Sequence, residues 1–195
     1  MKRIMMACIC LLLWQGQLAG AAGVNVSTAD GGSVSTEIGY GYALNKKSSL
    51  KRLWLVLNDQ NCPLQLYGAG IRTKYDDRSY KFEQVGSIAA REPLSAFEIR
   101  YVLYDVFGEY LETLSNTEVV DLKTKGSISL SDTGTWVTSE GEVSKMLTVV
   151  SFVARVRTAS GKIWHCQEKE IVDGLSRNRL KVGKEFIVPT PGKEK

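Results

Sequence analysis

A single histidine, four prolines and four cysteines are spread over 195 residues, and neither sign of charge dominates, with 25 basic against 21 acidic side chains. Each scarcity closes a class of function. One histidine, His165, leaves a Ser-His-Asp triad only one place to form. A structural zinc site takes four Cys or His ligands, and beyond its first residues the chain offers Cys62, Cys166 and His165. No Cys-x-x-Cys pair occurs, which removes a dithiol redox motif. The net charge of +4 is too weak a field to indicate nucleic acid, and it falls to +2 once Lys2 and Arg3 are set aside. No cofactor is expected either. Gly39-Tyr40-Gly41 lacks the third glycine and the preceding strand of a dinucleotide loop, and Asp76-Asp77-Arg78 is one acid pair short of a calcium cage. Asp132-Thr133-Gly134 has the letters of an aspartic-protease triplet. Ser131 precedes it in a polar stretch and no second copy exists, so it reads as a turn. No catalytic residue and no metal ligand is expected.

What is present begins with an address. Lys2 and Arg3, an apolar stretch over residues 4–14 and the small residues Ala19-Gly20-Ala21 make the three-part pattern of a secretory signal peptide. Gln15, Gly16 and Gln17 stop the stretch short of the roughly twenty apolar residues that a spanning helix needs. Residues 1–22 are therefore expected to be removed, taking Cys8 and Cys10 with them, and the mature chain to be periplasmic or secreted without a transmembrane anchor. Residues 23–50 are rich in Gly, Ser, Thr and Ala and are expected to form a flexible lead-in with one short strand at 38–43. Residues 189–195 read as a solvated basic tail.

Between them, residues 51–188 carry the folded domain, for which 44% hydrophobic and 24% charged residues are ordinary proportions. Phe97, Ile99, Tyr101 and Leu103 alternate with Glu98, Arg100 and Val102, the two-residue period of a strand with one wet face. In 147–158, Val150, Phe152, Ala154 and Val156 alternate with Ser151, Arg155 and Arg157 in the same way. Asp105 to Gly108 and Ala159 to Lys162 have the composition of hairpin turns. Gly86, inside a strand at 79–88, marks a bulge or a close backbone approach. Residues 170–180 can hold one short helix. About eight short strands without intervening helices predict an all-β sandwich. Residues 123–145, rich in Ser, Thr and Gly, form a long connection with one or two edge strands, a kind of segment that often carries function.

Tyr101-Val102-Leu103-Tyr104-Asp105, followed by Gly108, resembles the strand motif of the FxLYD type of immunoglobulin-like domain found in exported bacterial proteins, with Tyr101 where that family has Phe. The likeness extends loosely over residues 80–172. It implies an immunoglobulin-like antiparallel β-sandwich and brings no catalytic residues with it.

An oxidising compartment and an even count favour a structural disulfide between Cys62 and Cys166. Among the aromatics, Tyr104 is expected to face outward, opposite Tyr101 and Leu103, and Trp136 stands in a polar stretch. The two are the candidate binding surface. The function expected from these features is a non-catalytic exported module that binds another envelope or secreted protein or serves an envelope assembly. The alternative is a glycan- or peptidoglycan-binding domain that stacks sugars on Trp136 and Tyr104.

Overall fold

A computed structural model of the chain describes residues 24–26, 34–43, 50–76, 78–132 and 135–189. The expected signal peptide, and all of the basic tail beyond Pro189, lie outside the described residues. Among the described residues the chain forms β1 (Val24–Val26), β2 (Val34–Ala43), β3 (Lys51–Asp59), β4 (Leu64–Asp76), β5 (Ser79–Ala90), β6 (Leu94–Asp105), β7 (Tyr110–Leu122), β8 (Ser127–Ser129), β9 (Thr135–Thr138), α1 (Glu140–Lys145), β10 (Met146–Thr158), β11 (Ile163–His165) and α2 (Glu168–Arg177). These make an all-β sandwich of two sheets. The larger has the order β1-β2-β3-β10-β6-β7 with β11 also against β10, and the smaller has the order β4-β5-β8 with β9 also against β5. Every pair is antiparallel except β3 with β10, which run side by side in parallel with Leu53 opposite Thr148 and Leu57 opposite Phe152.

The alternation in β6 decides which side chains meet the smaller sheet. Phe97, Ile99, Tyr101 and Leu103 enter one core with Leu64, Leu66 and Ile71 of β4, Phe82 and Ile88 of β5 and Val149 and Val153 of β10. The polar tip of Tyr101 is satisfied there, donating to Gln84 Oε1 at 2.5 Å. Beneath this core Trp54 lies flat on Gly70, where a Cβ would fall 2.6 Å from the indole ring.

The opposite face of β6 and β10 is not wet, contrary to the one-sided pattern expected. Val102, Tyr104, Val150, Phe152 and Ala154 form a second buried cluster with Leu55 and Leu57 of β3, covered by Ile171 and Leu175 of α2 and by Ile187 near the chain's end. A shift of register between Val153 and Arg155 in β10 explains why Val156 parts company with the alternate set it was grouped with. The bulge turns Val156 into the first core and leaves Ala154 in the second. Residues covered on both faces read as nearly continuous apolar runs, which is the pattern of Leu55-Val56-Leu57 and Val149-Val150.

In the lead-in, the strand expected at 38–43 is present and starts earlier. Residues 34–43 form a ten-residue strand, with Val34 opposite Asp59 and Tyr40 opposite Leu53. The Gly, Ser and Thr content of the segment misleads because β2 borrows its order from β3; Thr36 lies buried against it. The connection over 123–145 carries the expected edge strands, β8 and β9, both paired with β5. It also carries α1, whose start is closed by a capping box: the Ser139 hydroxyl accepts from Glu142 N–H while the Glu142 carboxylate accepts from Ser139 N–H.

The smaller sheet ends at β4, whose outer backbone edge would invite another strand. Side chains close it. Leu64 N–H donates to Cys62 Sγ at 3.4 Å, and the Asn58 amide both donates to the Leu66 carbonyl and accepts from Leu66 N–H at 2.9 Å. Gly68 N–H donates to Glu37 at 3.2 Å, and the Ser151 hydroxyl donates to the Ala69 carbonyl at 3.0 Å. Asn58 thus does for β4 what a neighbouring backbone would do.

Candidate functional site

The layer over the larger sheet covers only part of its outer face. The segment after α2 lies across it like a strap: Tyr104 donates its hydroxyl to the Lys181 carbonyl at 3.0 Å, Thr113 to the Phe186 carbonyl, and Arg100 Nη1 to the Ile187 carbonyl at 2.7 Å. Phe186 stacks on Tyr110 with ring centroids 4.1 Å apart. Beyond Arg100 the strands continue and the strap does not. β7 records the boundary, its residues from Glu112 to Asn116 buried and Thr117, Val119 and Asp121 exposed.

Strand register arranges the uncovered side chains into two rows across β7, β6, β10 and β11. One row reads Thr117, Glu98, Arg155, His165, and the next reads Val119, Ala96, Arg157, Ile163. The first is held by charge. The buried Glu98 accepts from Arg100 Nε at 2.6 Å on one carboxylate oxygen and from Arg155 Nε at 2.5 Å on the other, with Arg155 Nη2 joining the second. Both oxygens of the only carboxylate in the rows are thereby committed, and Arg155 still leaves 54% of its side chain in solvent. The second row is apolar at its ends. Val119 is 86% and Ile163 54% exposed, and between them the short side chain of Ala96 leaves a floor. The exposed Arg157 stands beside it, and among the described residues no carboxylate pairs with its guanidinium. Six of the row residues, Thr117, Glu98, Arg155, Ala96, Arg157 and Ile163, line an open depression of about 150 Å³ with Phe97 and Val156, and Val119 stands next to Ala96 outside that lining.

The residues singled out from sequence lie elsewhere. Tyr104, expected to face outward, is fully buried because α2 and the strap cover its face of the sheet, and burial holds its phenol above the ordinary range. Trp136, expected on the surface of a polar loop, is also buried: β9 pairs it with Phe82 and turns it inward, edge-on to Tyr101 at 5.8 Å. Neither can offer a stacking platform. The expected bridge between Cys62 and Cys166 is corrected too, as both are free thiols. β11 ends at His165, so Cys166 leaves the inward alternation of Trp164 and packs with the outer cluster, while Cys62 belongs to the core between the sheets. His165 is exposed, on the outer face as its alternation with Trp164 implies. Among the described residues no three His, Cys, Asp or Glu side chains are placed to hold a metal ion, and no helix is long and apolar enough to cross a membrane.

Burial pushes the Cys62 thiol up to about 12 and the Cys166 thiol up to about 11. At pH 8 the Cys62 thiolate is then about one molecule in ten thousand. In a chain expressed without residues 1–22, both thiols should therefore react with Ellman's reagent at least about a hundredfold more slowly in the native protein than after unfolding in urea, where both should titrate. A chain that yields none after unfolding would restore the bridge.

The signal for the uncovered site was partly visible. The alternation of 147–158 sets Arg155 and Arg157 on one face, but the neighbours that make them a site, Thr117, Val119 and Ile163, come from strands too weakly patterned to place by register. Comparison with protein-family models, with curated proteins and with solved structures returns no match for the chain.

Proposed function

We propose that the chain is an exported, non-catalytic module, an immunoglobulin-like sandwich that docks on another envelope or secreted protein through the uncovered end of its larger sheet. One observation carries this reading: Val119 and Ile163 stand exposed at either end of a single row, at the end of the larger sheet that α2 and the strap leave open. Isolated exposed apolar residues are unremarkable, but Ile163 lines the depression and Val119 stands opposite Ala96 at its border, and apolar groups in and beside one depression are the usual make-up of a contact patch. The glycan alternative loses both of its stacking residues to the core.

The test expresses the chain with its own leader and a C-terminal tag, recovers it from the periplasmic fraction and crosslinks it to its neighbours before capture. A defined partner should be retained by the native chain and lost from the double variant Val119→Asp, Ile163→Asp, whose circular dichroism should be unchanged because both side chains already face water. A partner held equally by both proteins, or no crosslinked species at all, would defeat the reading.

A further inference from the structure

Building on that docking reading, we propose that the partner presents an extended acidic segment, in which a carboxylate side chain beside an apolar one seats on Arg157 and Ala96. The row Val119, Ala96, Arg157, Ile163 crosses four strands, a span of about 14 Å at ordinary strand spacing, which is the reach of a four- or five-residue extended peptide. Its chemistry is mixed in a definite order. An apolar group over Ala96 would touch Val119, and the next outward group of the same segment would meet Arg157.

Charge complementarity chooses the sign of that group. In the two rows and the adjoining Arg100 stand three guanidinium groups and one carboxylate, and Glu98 has both oxygens occupied by Arg100 and Arg155. Arg157 is left as a rigidly based cation on a central strand, with its planar donor fork in solvent, the geometry that takes a carboxylate in two parallel hydrogen bonds. Glu98 is then a positioning residue. By tying Arg155 down to the sheet it keeps that side chain from folding over the Ala96 floor, and it leaves the free positive charge at Arg157.

The experiment uses Val-Glu-Val-Glu-Val with a neutral BODIPY dye on its N-terminus and an amidated C-terminus, so that only side chains are charged, in an anisotropy titration of the full mature chain at low ionic strength. Saturable binding is expected, weakened at least about tenfold when both glutamates are replaced by glutamine and about tenfold in Arg157→Gln, a loss the size of one charge-assisted pair. Arg179→Gln, remote from the rows, should bind like the native chain. No saturation below about 1 mM, equal binding of the glutamine peptide, or undiminished binding by Arg157→Gln would each overturn the proposal. Partner capture that is abolished by the Val119 and Ile163 variant but intact in Arg157→Gln would leave the docking reading standing and remove the acidic chemistry alone.

Discussion

Replacing Gly86 with alanine is expected to destabilise the protein by about 3 kcal/mol or more, combining a backbone conformation that L-residues rarely adopt with a backbone clash. Gly86 has φ +107°, and a Cβ there would lie 2.7 Å from the carbonyl oxygens of both Tyr67 and Gly68. Neither oxygen can give way, because both belong to the bulge that Gly86 faces: Tyr67 pairs with Ser87 and Gly70 with Val85, so Gly68 and Ala69 together oppose this one residue. The bulge reverses the alternation of β4, so that Leu64 and Leu66 on one side of it and Ala69 and Ile71 on the other all reach the same core. It also aims the Gly68 N–H at Glu37 and the Ala69 carbonyl at Ser151. Urea denaturation of Gly86→Ala should show a midpoint far below that of the native chain. Gly108→Ala, at φ +78° with open space around its Cβ position, should lose only the conformational part, about 1 kcal/mol. Equal losses at the two glycines would show that the clash contributes nothing.

Ending the chain at Leu180 is the second change with a large expected effect, about 4 kcal/mol from lost apolar burial and hydrogen bonds together. The strap takes with it the fully buried Ile187, the Phe186 ring stacked on Tyr110, and the carbonyls that receive Tyr104, Thr113 and Arg100. Val102, Tyr104 and Phe152 then lose part of their cover. The shortened chain should bind 8-anilinonaphthalene-1-sulfonate where the full chain does not, and its urea midpoint should fall. A truncation with an unchanged midpoint would show the strap to be ornamental. Restoring the segment with Phe186 and Ile187 replaced by serine should recover only part of the loss, since the carbonyls return but the apolar burial and the stack on Tyr110 do not.

The sandwich was legible because β6 alternates throughout, β10 alternates up to its bulge, and the turns at Asp105 to Gly108 and Ala159 to Lys162 carry the residues such turns need. Gly86 was legible for the same local reason, as a glycine standing inside a strand pattern. What stayed hidden depended on cover supplied from far along the chain. Nothing near Tyr104 announces that Lys181 and Ile187 will close over it, and an outward position in a two-layer sandwich becomes an inward one in three layers. Trp136 was misplaced because its neighbours Ser131, Thr133 and Thr138 are polar, whereas its environment is set by pairing with Phe82, some fifty residues earlier. α1 did have a local signal, since Ser139 and Glu142 spell a capping box, but its six residues offer one apolar side chain, Val143, too little to show an apolar face. The two rows of the candidate site depend on the registers of β7 and β11 against β6 and β10, and register cannot be read from composition.

The parallel pairing of β3 with β10 sets the order in which this protein can come into being. β10 is the last long strand in the chain and a central one in the larger sheet. Before it is made, β3 and β6 share no neighbour, and the larger sheet exists only as two detached pieces, β1-β2-β3 and β6-β7. Joining Leu53 to Thr148 closes about half of the chain in one step, the kind of distant contact that slows folding. The molecule is thus an arch completed by its keystone: in a chain arrested before Met146 the smaller sheet can pair, but the edges of β3 and β6 that β10 joins stand open.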